Sequence, residues 1–165
     1  MIKAINTVKD NPEILKTPAV ECPVTFEANG NKIWHPDVIE WATNLLDTAN
    51  EHTKDALGLA CNQIWDVPDK PPFKMFAINT FKKDSPWVIM LNPELILSGK
   101  PVDMYESCLS NPKKIKVRRK QNVLLRFNKL DEPMLRREEK VYYTVNQLAI
   151  VIQHEYDHLL GKINV

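Results

Sequence analysis

The residues best equipped for chemistry in this chain are Gln153-His154-Glu155-Tyr156-Asp157-His158. Two histidines four apart lie on one face of a helix, one turn from each other, and can bind a single metal ion. Glu155, beside the first histidine, can then reach a water on that ion. The arrangement belongs to metal-assisted hydrolysis. Leu148, Ala149, Val151 and Ile152 make the preceding turns apolar, so the helix is expected to be buried. Burying two imidazoles and a carboxylate without partners is expensive, and a metal ion satisfies all three.

A hydrolytic site of this kind has three protein ligands and one open position. The HExxHxxG pattern holds through Gly161, but position 164, where one protease class has its third histidine, is Asn164. Only seven residues follow His158, so the third ligand is expected upstream, among Cys22, Cys61, Cys108, His35 and His52. Cys108 is the best placed. It lies in Tyr105-Glu106-Ser107-Cys108-Leu109-Ser110-Asn111-Pro112, read as a short polar loop after a strand-like region. A buried, inert cysteine is the competing reading. A third block, Leu57-Gly58-Leu59-Ala60-Cys61-Asn62-Gln63-Ile64, has a glycine that permits close backbone approach and a glutamine amide able to donate to a developing oxyanion. A tight turn into a buried strand accounts for the same residues.

These blocks need a scaffold. Asp37 to about His52 reads as a helix, with Val38, Ala42, Leu45, Leu46 and Ala49 forming an apolar stripe. Phe73–Asn79, Trp87–Leu91, Leu95–Leu97 and Val123–Phe127 read as strands, with Asn128–Pro133 as a hairpin connection answered near Lys140–Val145. Asn146 is the expected cap of the final helix, which runs from Gln147 through Leu160, and Gly161 suits its stop. The fold class expected is α+β: short, mostly antiparallel strands around a central C-terminal metal-binding helix, with one long helix in the N-terminal third. Residues 1–165 read as one domain.

Composition excludes several classes. Lys and Arg number 22 against 21 Asp and Glu, and the clusters Arg118-Arg119-Lys120 and Arg136-Arg137 are too short for a basic stripe. They read as solvated strand ends or a hairpin tip, and no specific nucleic-acid partner is expected. No apolar run approaches the roughly 18 residues of a membrane span, and the first residues lack the pattern of a signal peptide. Three widely spaced cysteines are unlike a secreted disulfide framework and fit a reducing, cytoplasmic setting.

Taken in order, G-L-A-x-x-Q (58–63), E-x-C-L-S (106–110) and Q-H-E-x-D-H-L-x-G (153–161) resemble the peptide deformylase family. The resemblance implies a metal-dependent hydrolase that removes the N-formyl group from N-formylmethionyl peptides of nascent proteins and releases formate. It implies Cys108, His154 and His158 as ligands of one divalent ion. Fe(II) is favoured, with Zn, Ni or Co possible. Glu155 matches the general acid/base; the Gln63 amide and the Leu109 backbone N–H match the oxyanion donors. A pocket for the methionine side chain would draw on Leu57, Gly58, Met104, Ile150 and Val151, and Asp157 would support the site through Arg119. A monomer in transient proximity to the ribosome is the expected state.

The chain departs from the common pattern at Ala56 and Ser107, where glycine is usual, and at Cys61, where alanine is usual. Each is expected to add a small side chain near the cleft, Cys61 a second thiol. The short segment after His158 resembles compact forms carried by some viruses, and the C-terminal helix that contacts the ribosome in many bacterial members is not carried over. Two alternatives remain: a zincin-type endopeptidase, and a non-catalytic peptide- or metal-binding module on the same scaffold.

Overall fold

A computed structural model describes residues 1–80, 87–133, 135–142 and 147–163. A short helix α1 (Pro12–Lys16) and a two-stranded ribbon, β1 (Val24–Phe26) with β2 (Lys32–Trp34), lead into the long helix α2 (Pro36–Glu51). Pro36 sits in the first turn, where its fixed φ suits a helix and its missing N–H costs nothing. His35 caps that turn, its Nδ1 accepting from the Asp37 N–H at 3.2 Å. The stripe Val38, Ala42, Leu45 and Ala49 is fully buried, joined by Trp41.

A five-stranded antiparallel sheet follows, in spatial order β3 (Gly58–Ala60), β4 (Met75–Asn79), β5 (Trp87–Cys108), β6 (Asn111–Asn128) and β7 (Arg136–Tyr142). All five residues of β4 are buried, because both faces of the sheet are covered there. Met75 and Ala77 face α2 with Leu59, Ile89 and Leu91. Phe76 and Ile78 face the last helix, α3 (Leu148–Leu159), with Met90, Val123, Leu125 and Phe127. The strand period of two thus builds two cores from one sequence run. The α+β architecture with a central C-terminal helix stands as expected.

Strand lengths differ from the sequence reading. The sequence reading ended one strand at Leu91 and the next at Leu97, yet β5 runs through both ends and spans 22 residues against 18 in β6. The register shifts between Leu91 and Glu94 and between Ser98 and Pro101, so Pro93 lies within one bulge and Pro101 at the edge of another, places where a strand tolerates proline. A third shift, between Glu106 and Cys108, precedes the tight turn at Leu109-Ser110. Cys108 is therefore the last residue of a strand at a hairpin end, not part of a free loop. The expected hairpin after Asn128 forms with β7 beginning at Arg136; residues 143–145 and the expected cap Asn146 lie outside the described residues.

Helix α3 ends in a Schellman arrangement. The Gly161 N–H donates to the His158 carbonyl and the Lys162 N–H to the Asp157 carbonyl, both at 2.9 Å. Gly161 adopts φ +71°, and a Cβ there would lie 2.2 Å from the Lys16 carbonyl oxygen. Only glycine meets both demands. Among the described residues no helix is long and apolar enough to cross a membrane.

Candidate metal centre

The turn after β5 meets the middle of α3. Cys108 Sγ lies 3.3 Å from His158 Nε2, and His158 Nε2 lies 3.2 Å from His154 Nε2. The three candidate ligand atoms all fall within 4.8 Å of one another. Tetrahedral zinc, with nitrogens at about 2.0–2.1 Å and sulfur at about 2.3 Å, separates its ligand atoms by about 3.3–3.6 Å. The residues present fit such an ion with little movement. Two imidazole nitrogens and a sulfur converging in a buried space, with His154 and His158 only 8% and 1% exposed, have no comparable use for one another without it.

Glu106 orients the first candidate ligand. Its Oε2 lies 2.7 Å from His154 Nδ1. Arg119 grips the same carboxylate through two bonds of 2.7 and 2.8 Å and donates from Nη1 to Asp157 at 2.5 Å. Burial raises the Glu106 pKa, but the hydrogen bonds from Arg119 and His154 outweigh it and hold the carboxyl at about 2. An ionised Glu106 requires N–H at Nδ1, which leaves the Nε2 lone pair for the ion. Asp157 and Arg119 thus meet as a pair, with Glu106 between Arg119 and the histidine. Glu106 was not singled out in the sequence. Strand alternation was the available signal, since positions 106 and 108 share a face once the segment is read as a strand.

Burial works against a charge on either imidazole. At His154 the hydrogen bonds to Cys108 and Glu106 outweigh it and raise the pKa, whereas at His158 burial and the neighbouring His154 charge both lower it. Metal ligands must be free of protons at the coordinating atom. Loading the metal-free protein with Ni(II) or Co(II) is therefore expected to release protons and to weaken about tenfold or more per unit of falling pH below neutrality. Calorimetry in buffers of different ionisation enthalpy measures the release, and a pH-independent affinity contradicts it.

Glu155 is buried against the backbone of β3. A Cβ on Gly58 would come within 2.5 Å of Glu155 Oε1, so the close approach that the glycine allows is by this carboxylate. Glu155 Oε2 is buried with no hydrogen-bond partner among the described residues. Burial raises its pKa to about 7, against the lowering influence of His154. Gln63 lies in the short 3₁₀ turn after β3. Its Oε1 accepts from the Ala60 N–H at 2.8 Å, and its Nε2 donates to Ser110 Oγ at 3.1 Å and Cys108 Sγ at 3.4 Å. The amide is thereby held against the centre.

These groups open onto a cavity of about 420 Å³. Leu57, Gly58, Met104, Ile150 and Val151 all line it, as do Leu109, Gln63, Glu155, Ala56 and Ser107. Cys61 does not. It is fully buried in the core against α2, near Cys22, and burial pushes both thiols up. The expectation of a second thiol in the cleft is corrected: the 3₁₀ turn directs position 61 to the opposite side from Gly58. The other upstream ligand candidates are elsewhere, His35 capping α2 and His52 following its last turn. Arg119 is likewise 8% exposed rather than a solvated strand end.

The family model described as polypeptide deformylase matches residues 2–165. A peptide deformylase of Dictyoglomus thermophilum is 31% identical over 165 residues, covering 99% of this chain and 90% of that protein. One from Buchnera aphidicola is 28% identical over 123 residues, covering 74% of this chain. The chain spans 64% of the length of that Buchnera relative. In fold, the chain is similar to an actinonin-bound class I type b peptide deformylase from Acinetobacter baumannii, with a TM-score of 0.73 at 22% identity over 99% of this chain and 96% of the other. A Legionella pneumophila peptide deformylase gives 0.76 at 22% identity over 99% and 84%.

Proposed function

The chain belongs to the polypeptide deformylase family, and from that premise we propose that it hydrolyses the N-formyl group of N-formylmethionyl peptides of nascent proteins, releasing formate. The observation that carries the proposal is a buried carboxylate, Glu155, with one oxygen unpartnered among the described residues, beside converging Cys108, His154 and His158, the first two of which line the cavity with it. Cys108 Sγ and the Nε2 atoms of both histidines would hold one divalent ion. When bound, that ion supplies Lewis-acid chemistry, acidifying a water and polarising the formyl oxygen. The ligand set suits Fe(II), Zn, Co or Ni, and family membership favours Fe(II).

Glu155 takes a proton from the attacking water, for which a pKa near 7 is well matched. The oxygen of that water bonds to the formyl carbon. The oxyanion so formed accepts from Gln63 Nε2 and the Leu109 N–H. Glu155 then delivers the proton to the peptide nitrogen as the C–N bond breaks, leaving formate and a free amino terminus. Leu57, Gly58, Met104, Ile150 and Val151 receive the methionine side chain. Asp157 and Arg119 keep Glu106, and through it His154, in place. The reading includes a cytoplasmic monomer acting close to the ribosome.

The test is formate release from an N-formyl-Met tripeptide by protein prepared without oxygen and loaded with Fe(II) or Ni(II). The N-acetyl analogue and an unblocked peptide run beside it. Release from the formyl substrate alone, blocked by actinonin, is the expected result. No release at one bound equivalent of metal sinks the proposal, and cleavage of the unblocked peptide moves it to an endopeptidase. Gln63→Ala removes one oxyanion donor and is expected to lower kcat by about 10²–10³ with the metal content unchanged.

A further inference from the structure

We propose that the outer face of the far half of the β5–β6 hairpin docks single-stranded RNA, holding its phosphate backbone without reading its sequence. Overall charge conceals this face. Lys116, Arg118 and Lys120 alternate along β6 and point away from the side on which Arg119 is buried under α3, and Lys114 precedes them where the register shifts between Asn111 and Ile115. All four are exposed. Successive members stand about 6.7 Å apart along the strand.

The cross-strand register sets Asp103 opposite Arg118 and Tyr105 opposite Lys116. Among the described residues, Asp103 is the one acid facing the four cations. It is engaged by Arg118 at 2.6 and 3.1 Å and lies 3.7 Å from Lys116. Among the described residues, Lys114 and Lys120 have no acidic partner. Farther along the same sheet face, charges are neutralised in pairs, Arg126 with Glu138 at 2.7 Å and Arg136 with Glu94 at 3.1 Å. Lys140, opposite Leu124 on this face, is a further exposed cation, so the positive charge is densest in the hairpin's far half.

Tyr105 selects among polyanions. Its ring is 69% exposed between the cations, and a free aromatic among cations is the platform on which unpaired bases stack. Duplexes hide their base faces, and a membrane surface calls for an apolar group of side chains, whereas Tyr105 is the one exposed large apolar side chain among the described residues of this half of the hairpin. Tyr105 also lines the cavity, so RNA held here would lie beside the opening through which a peptide substrate reaches Cys108. The binding claim stands whether or not the hydrolase reading does.

The experiment is fluorescence anisotropy of a labelled oligouridylate of about 20 nucleotides, titrated with the metal-loaded protein between about 50 and about 200 mM salt. Four phosphate contacts predict a slope of log K against log salt of about −3. Lys114→Glu/Lys116→Glu/Lys120→Glu is expected to lose tenfold or more in affinity while hydrolysing a free formyl tripeptide, and melting, like the parent. Tyr105→Ala is expected to lose about fivefold or more. Absence of binding at the lowest salt overturns the proposal. So does a triple-variant affinity equal to the parent's, or binding to phosphatidylglycerol vesicles without binding to the RNA.

Discussion

Glu155→Gln is expected to keep its metal and to lose about 10³-fold in kcat. A positioned general acid/base contributes about 10²–10⁴, and Glu155 serves both proton transfers in the proposed reaction. The amide is nearly isosteric, so the close contact with Gly58 survives and the ligand atoms, which belong to other residues, do not move.

The same substitution carries a stability signature of definite sign. In the metal-free fold Glu155 has its pKa raised from 4.5 to about 7, chiefly by burial. The folded state then binds this proton more tightly than the unfolded chain. Its contribution is fully present below about pH 4.5 and is lost as pH rises through about 7. Glutamine does not titrate. The metal-free variant should therefore gain on the parent with rising pH, by up to about 3 kcal/mol at pH 8. A bound cation favours the carboxylate and narrows the gap. Thermal melts at pH 5 and pH 8, with and without chelator, measure this. A variant that loses its metal, or melts lower at pH 8 without it, means that Glu155 is structural.

Arg119→Met should have the largest effect on the fold. Arg119 and Glu106 are 8% and 9% exposed at their side chains, and their two-bond contact is shielded from water. Removing one partner of a buried ion pair costs about 3–5 kcal/mol, because the other charge is left uncompensated. Asp157 suffers less, being 18% exposed and 3.5 Å from Lys162. Glu106 also orients His154, so metal affinity is expected to fall about 10–100-fold. The double variant Arg119→Met/Glu106→Gln separates the two effects. Stability should return in part, since no bare charge remains, while metal affinity stays low. Urea unfolding and a competitive chelator titration read the two quantities. Equal recovery of both, or no loss in the single variant, contradicts the assignment.

Local periodicity explains what could be read from the sequence. His154 and His158 share a helix face whatever surrounds them, and α2 shows its core stripe at helical spacing within its own residues. Gly161 announces a helix end for equally local reasons. The antiparallel strands before α3 follow from the same kind of signal. None of these requires knowing which distant segments meet.

Prolines limited the reading of strands. Pro93 and Pro101 argue against an uninterrupted strand, and β5 carries them where its pairing with β6 bulges, within one bulge at Pro93 and at the edge of another at Pro101. With that strand unseen, Cys108 looked like a loop residue, and the alternation linking it to Glu106 had no frame. The basic face was hidden for the same cause. Lys114, Lys116, Arg118 and Lys120 become one surface only when a strand separates them from Arg119, and among the described residues β5 places only one acid, Asp103, opposite them.

By itself, then, the sequence determined the chemistry available: a thiol, two imidazoles one turn apart, a carboxylate beside them and an amide upstream, on α+β elements whose local patterns are self-contained. Tertiary structure alone decided which side each long-range partner faced. Cys61 entered the α2-side core while Gly58, three residues earlier, opened onto Glu155. Arg119 reached 38 residues along the chain to Asp157. Helix and strand periods are set by backbone geometry within a few residues. The meeting of distant segments depends on register and on which face a packed core excludes from water, and those are properties of the assembled chain.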